Sequence, residues 1–233
     1  MHIFCLKPQV FADRFNAGEV LGSDLKSIQS FQDAVVIGLA RGGVPVAYSV
    51  AKVLGLPLDV LVIRKLGVPW QPELAFGALA PDGVKVLNRN VIIRAQLSDL
   101  DMFTIQKSER AVLERREARY RAGLTPLFIR GRTVILVDDG LATGATMDAA
   151  LEWAEKKGAS ECVIAIPVAS LSACQSIEQQ HNKARCFCHI APESFYSVGS
   201  WYRAFTQVQD KTVLELLEKR RAELQYNIKN FAQ

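Results

Sequence analysis

Val134-Ile-Leu-Val-Asp138-Asp139-Gly140-Leu141-Ala142-Thr143-Gly144-Ala145-Thr146 is the stretch on which the reading of this chain turns. The apolar, β-branched run Thr133–Val137 reads as a buried strand. Two adjacent carboxylates end it. A tight turn of small and hydroxyl residues follows, and a helix runs over Ala145–Lys157 until Gly158 stops it. Ala142–Thr146 offers consecutive backbone N–H groups at a helix N-terminus, with the hydroxyls of Thr143 and Thr146 beside them. That combination is a cradle for a phosphate dianion. Open α/β sheets bind ligands at the carboxyl ends of their strands, where Asp138 and Asp139 fall. Carboxylates next to a phosphate cradle would repel the phosphate, so they suit the hydroxyls of a sugar, or a metal. A sugar phosphate meets both demands. Two other readings use the same residues. One is a plain strand–loop–helix unit capped by Thr143 or Asp139. The other is a Walker-B-like metal site, although no Gly-x-x-x-x-Gly-Lys-Ser/Thr element accompanies the acids.

Outward from this stretch the chain alternates strands with helices. Ala34–Leu39 reads as a buried strand, Arg41-Gly42-Gly43 as a turn, Val44–Leu54 as a helix closed by Gly55 and Pro57, and Leu58–Arg64 as the next strand. Lys65–Gly83 holds three prolines and three glycines and reads as a long loop of the kind that serves as a lid. Val84–Leu87 is a weak strand. Leu97–Ala122 is highly charged, with Glu109, Arg110, Glu114, Arg115, Arg116 and Glu117 giving i,i+4 pairs on a solvated helix. On the far side, Cys162–Val168 is a strand, Ser170–His181 a helix and Arg185–Ile190 a further β-like piece. An aromatic segment, Phe195–Phe205, leads to a helix over Lys211–Ile228. Before the first strand, Phe11, Phe15, Leu21, Leu25 and Ile28 give Val10–Ser30 near-helical spacing. The pattern implies an α/β fold, a Rossmann-like, mostly parallel sheet with helices on both faces. Residues 1–33 form an N-terminal helical segment, 34–184 the core, and 185–233 a small hood and a C-terminal helix.

Composition bounds the function. The chain has 233 residues, 49% hydrophobic and 22% charged, and needs no staples to hold a core. Its net charge of +4 suits a phosphorylated small ligand, and no basic run with interleaved aromatics points to a nucleic-acid groove. No run reaches the roughly 20 apolar residues of a membrane span, and Met1–Gln9 lacks the features of a secretory signal, so a cytoplasmic location is expected. The five cysteines include no Cys-x-x-Cys, and Cys186-x-Cys188 is poor spacing for zinc. Reduced, partly buried thiols are expected.

Val-Asp-Asp-Gly-Leu-Ala-Thr-Gly-Ala-Thr resembles the signature of type I phosphoribosyltransferases, in its apolar strand, acid pair and Thr-Gly-x-Thr loop. The resemblance implies that 5-phosphoribosyl-1-pyrophosphate (PRPP) is the donor. Asp138 and Asp139 would hold its ribose hydroxyls, and Ala142, Thr143, Gly144, Ala145 and Thr146 its 5′-phosphate. Mg²⁺ would accompany the pyrophosphate, held mainly by pyrophosphate and ribose oxygens. Leu39-Ala40-Arg41-Gly42-Gly43 resembles the pyrophosphate loop. Ala40, Arg41 and Gly42 would line it, with a cis peptide at Ala40–Arg41. Lys65–Gly83 falls where the family keeps a flexible catalytic loop, which makes Lys65 and Glu73 catalytic candidates beside Arg41. Arg64 is a further pyrophosphate candidate.

In the family a hood covers the base. Cys186–Tyr202 is similar to the corresponding stretch of purine enzymes, with Pro192, Glu193, Phe195, Val198 and Gly199 in like order. Phe187 and Phe195 are the candidates to stack on a base. Ala142 stands where 6-oxopurine enzymes usually carry an acid, and the loop is closer to adenine phosphoribosyltransferases. The implied reaction transfers the phosphoribosyl group to a nitrogenous base, a purine or a relative of one, and releases pyrophosphate. A homodimer is the default assembly of the family. The competing readings are a non-catalytic regulator that senses PRPP or a nucleotide on the same fold, and an accessory module docking through Lys211–Ile228.

Overall fold

The apolar runs become strands buried on both faces. In the computed structural model, which describes residues 2–5, 10–182, 184–192 and 194–231, the strands are β1 (His2–Cys5), β2 (Val35–Ala40), β3 (Leu58–Val62), β4 (Arg64–Val68), β5 (Gln71–Leu79), β6 (Lys85–Leu87), β7 (Thr133–Val137), β8 (Glu161–Val168) and β9 (Ala184–Ile190). The helices are α1 (Arg14–Ile28), α2 (Gly43–Leu54), α3 (Arg89–Arg94), α4 (Asp99–Arg121), α5 (Ala145–Lys156), α6 (Leu171–Gln180) and α7 (Asp210–Phe231).

Six strands form one parallel sheet in the order β1-β9-β8-β7-β2-β3. Alternate residues feed alternate faces, as strand geometry requires. Ile135 and Val137 pack under α1, α2 and α7, whereas Val134 and Leu136 pack under α5 and α6. Both faces are covered, which is why the strands read as continuous apolar runs. From β2 the chain winds outward to β3 on one side, and through β7, β8 and β9 on the other. The switch point therefore lies between β2 and β7, registered Val35 to Val134 and Gly38 to Val137. A crevice outside the carboxyl ends of those two strands is where such a sheet binds ligands.

Two sequence expectations need correction. Lys65–Gly83 is not a long loop. β4, β5 and β6 form a separate three-stranded antiparallel sheet. The prolines and glycines that suggested a loop punctuate the hairpin instead. Pro69 lies in its turn, and the β4–β5 register shifts on either side of Gly67, where the backbone passes close to Pro72. The N-terminal segment, read as helical only, begins with β1, which pairs with β9 as an edge strand. Its four residues are too few for a period to register.

α7 packs on its own domain. Arg220, buried, donates to the carbonyls of Leu56 at 2.9 Å and Ala51 at 3.0 Å and meets Glu223 at 3.0 Å. A cation at those carbonyls suits the C-terminal end of α2. Cys162, Cys174, Cys186 and Cys188 are buried. No helix among the described residues is long and apolar enough to cross a membrane.

Candidate active site

The β7 tip and the turn after it are held from three sides. Gly144 has φ of 87°, a left-handed conformation that glycine adopts without cost, and from it α5 starts at Ala145. The Leu141 N–H donates to Val168 O at 3.0 Å, and the Ser170 hydroxyl to Ala142 O at 3.1 Å, which ties the turn to the end of β8. Ala142 and Thr143 remain exposed. On the other flank the β2–α2 turn packs against the acids so closely that a Cβ on Gly43 would lie 2.5 Å from Val137 O and 2.8 Å from Asp138 Cα. The Ala40–Arg41 peptide is cis, as the resemblance implies.

A cavity of about 160 Å³ opens over this point, and Lys65, Asp138, Asp139, Leu141, Thr146 and Val198 are among its walls. Lys65 reaches it from β4, so the hairpin delivers a cation to the acid pair. The two acids carry opposed influences. Burial and the neighbouring Asp139 push Asp138 well above the usual carboxylate range, against the pull of the Asp139 N–H, Lys65 and Arg14. Burial raises Asp139 as well, and Arg14 works against it.

Arg14, the first residue of α1, was not a sequence candidate. Its Nε and Nη2 both lie 2.8 Å from Asp139 Oδ2, its Nη1 donates to Thr206 O at 2.8 Å, and its guanidinium stands 3.8 Å from the centre of the Phe205 ring. The Tyr202 hydroxyl donates to the Asp139 carbonyl at 2.6 Å. These partners lie 63 to 125 positions from Asp139, beyond any motif's reach.

The other candidates divide. Arg41 stands 3.8 Å from Asp210 at the start of α7. Arg64 is occupied by Glu109 at 2.6 Å and is set aside as a ligand candidate. Glu73 does not line the acid-pair cavity. It lines a separate cavity of about 530 Å³ with Thr143, Ala145 and Asp148, across the Ala142–Thr146 turn. Phe187 is fully buried in the sheet core and stacked on His2 at 4.9 Å, so its proposed stacking on a base is corrected: its ring offers no free face. Phe195 is half-buried against the cluster of Phe11, Ile190 and Tyr202 beside the hood. Glu193 lies outside the described residues.

A parallel sheet whose switch point carries an acid pair, a phosphate-type turn and a cis-peptide loop matches the comparisons with known proteins. The sequence profile of the phosphoribosyl transferase domain matches residues 21–204. The chain belongs to the phosphoribosyltransferase family. Two Mycobacterium tuberculosis proteins, Rv0571c and MT0597, provisionally named phosphoribosyl transferases, are each 43% identical over 211 residues, covering 91% of this chain. The chain spans about half the length of these relatives, 47% of each. The crystal structure of TT1426 from Thermus thermophilus is 37% identical with a TM-score of 0.75, covering 91% of this chain and 99% of that one. A Neisseria gonorrhoeae protein solved with bound ppGpp, 13% identical, covers 94% of this chain and 99% of its own at a TM-score of 0.52, and shares the fold.

Proposed function

We propose that this phosphoribosyltransferase-family chain transfers the 5-phosphoribosyl group of PRPP to a nitrogenous base, a purine or a related base, and releases pyrophosphate. The observation that carries this reading is the meeting, at one strand tip, of the acid pair, the open Ala142–Thr146 turn and Lys65. Asp138 and Asp139 would take the ribose hydroxyls, and the turn's N–H groups would take the 5′-phosphate at the α5 N-terminus. Displacement at C1 proceeds through an oxocarbenium-like state while negative charge gathers on pyrophosphate. Lys65 and Arg41 are the cations available to meet that charge.

Mg²⁺ fits these groups. The ion would be held mainly by pyrophosphate and ribose oxygens, as Mg²⁺ commonly is at phosphate substrates, while Asp138 and Asp139 grip the ribose hydroxyls beside it. When bound it would neutralise the leaving group. Phe195 is the remaining aromatic candidate beside the base. The hairpin, by covering the donor, would keep water from C1.

The test joins binding to turnover. Calorimetry with PRPP and Mg²⁺ should give binding to the native chain and none to Asp138→Asn/Asp139→Asn. Undiminished binding by the double variant would refute the site. A screen of bases for pyrophosphate release identifies the acceptor. Donor binding with no release from any base would assign the chain a sensing role instead.

A further inference from the structure

We propose that Arg14 is a positioning residue for the donor's ribose, acting through Asp139. The inference rests on the reading of the acid pair given above. Arg14 occupies the first turn of α1, directly after the N-cap Asp13. A cation there opposes the helix dipole, which favours negative charge at an N-terminus. The helix therefore gains nothing from an arginine at this position, and the reason for it lies in what the side chain reaches. All three nitrogens of the guanidinium are used, two on Asp139 and one on Thr206 O, and its face rests on Phe205. With 9% of its surface exposed, this is a planar fork locked on every side.

The geometry selects one oxygen. Both contacts to Asp139 fall on Oδ2, and Oδ1 takes part in neither. Asp139 is also held at its carbonyl by the Tyr202 hydroxyl. The carboxylate is thus fixed in rotation, with one oxygen spent on the protein and the other left for a hydroxyl of the sugar. Arg14 also offsets the charge of two adjacent acids in a place that must admit an anionic donor. Groups that orient a metal-ligating side chain are commonly worth about 10- to 100-fold in affinity or activity when removed, and a carboxylate that grips a sugar hydroxyl sets the same orientational demand.

Arg14→Ala should weaken ribose 5-phosphate binding about tenfold or more. It should leave inorganic phosphate, which needs the Ala142–Thr146 turn alone, bound as before. A general loss of structure would reduce both. In an Asp139→Asn background the further loss from Arg14→Ala should shrink towards nothing, because the two act as one unit. Arg14→Lys, which keeps the charge but loses the fork, should recover part of the affinity, and it replaces the alanine variant in every comparison if that variant fails to fold. The inference is overturned if Asp139→Asn weakens ribose 5-phosphate while the Arg14 variants do not, if the two losses add, or if phosphate binding falls in parallel. If Asp139→Asn itself leaves ribose 5-phosphate binding intact, the acid-pair reading fails first and takes this one with it.

Discussion

At the scale of single residues, Asp138 and Asp139 were legible because strand, acids and turn are contiguous, and contiguity is what a sequence displays. Arg14 was not, because its meaning depends on a partner 125 positions away. Phe187 misled for a related reason. Its place near the hood suggested a ligand contact, but strand parity turns it into the core, where it is fully buried. Gly144 belongs with the legible residues, and its role can be tested. Its φ of 87° is costly for any residue with a Cβ, by about 1–2 kcal/mol, and a Cβ there would lie 3.3 Å from Ile177 Cδ1. Gly144→Ala should therefore lower the thermal midpoint and weaken inorganic phosphate binding together, as the turn shifts its N–H groups. Calorimetric titration and thermal unfolding of one sample would measure both. Weaker phosphate binding without a change in midpoint would mean that the strain is not where the backbone puts it.

At the scale of elements, five of the six parallel strands, all but β1, and the helices α2, α5 and α6 were readable from apolar runs bounded by glycine and proline. The β4–β5 hairpin was not. Its prolines and glycines are the signals of a loop, and its outer half, Gln71–Leu74, is exposed and shows no buried face to give alternation. Of β5 only the inner half, through Phe76 and Leu79, reaches the core. A strand carries Lys65 to the acid pair at a fixed register with Ala78, so the cation is placed before any ligand arrives. A group placed over the leaving pyrophosphate should matter more as charge builds than when the donor first binds. Lys65→Ala is accordingly expected to reduce kcat by about 100-fold or more, the scale seen when one stabilising donor is removed from a site of developing charge, with a smaller change in donor Kd. Steady-state kinetics with an accepted base, set beside PRPP titration, would separate the two quantities. Equal losses in both would make Lys65 a ground-state ligand.

At the scale of the whole molecule, both ends of the chain converge on the core site. α1 sends Arg14 to Asp139, and α7 begins at Asp210, which accepts from the Tyr120 hydroxyl at 2.6 Å and from Arg119 at 3.1 Å and lies 3.8 Å from Arg41. Asp210 thus joins α7, α4 and the β2–α2 turn. The Tyr120 hydroxyl, helped by Arg116, Arg119 and Arg41, holds its carboxyl below the usual carboxylate value against a smaller effect of burial. A carboxyl with a depressed folded value stabilises the fold above its unfolded pKa of about 3.9 and loses that contribution as pH falls through the folded value. Asp210→Asn removes the charge and keeps an acceptor for Tyr120. At pH 7 it should cost about 1 kcal/mol, or roughly 2–4 °C in Tm for a chain of this size. The gap between native and variant should hold steady down to about pH 4 and close below it, as the native carboxyl takes up its proton. Thermal unfolding across that range measures the gap directly. A gap that widens with acid would mean that the carboxyl binds its proton more tightly in the folded chain, and that Tyr120 and the three arginines do not hold the start of α7 by its charge.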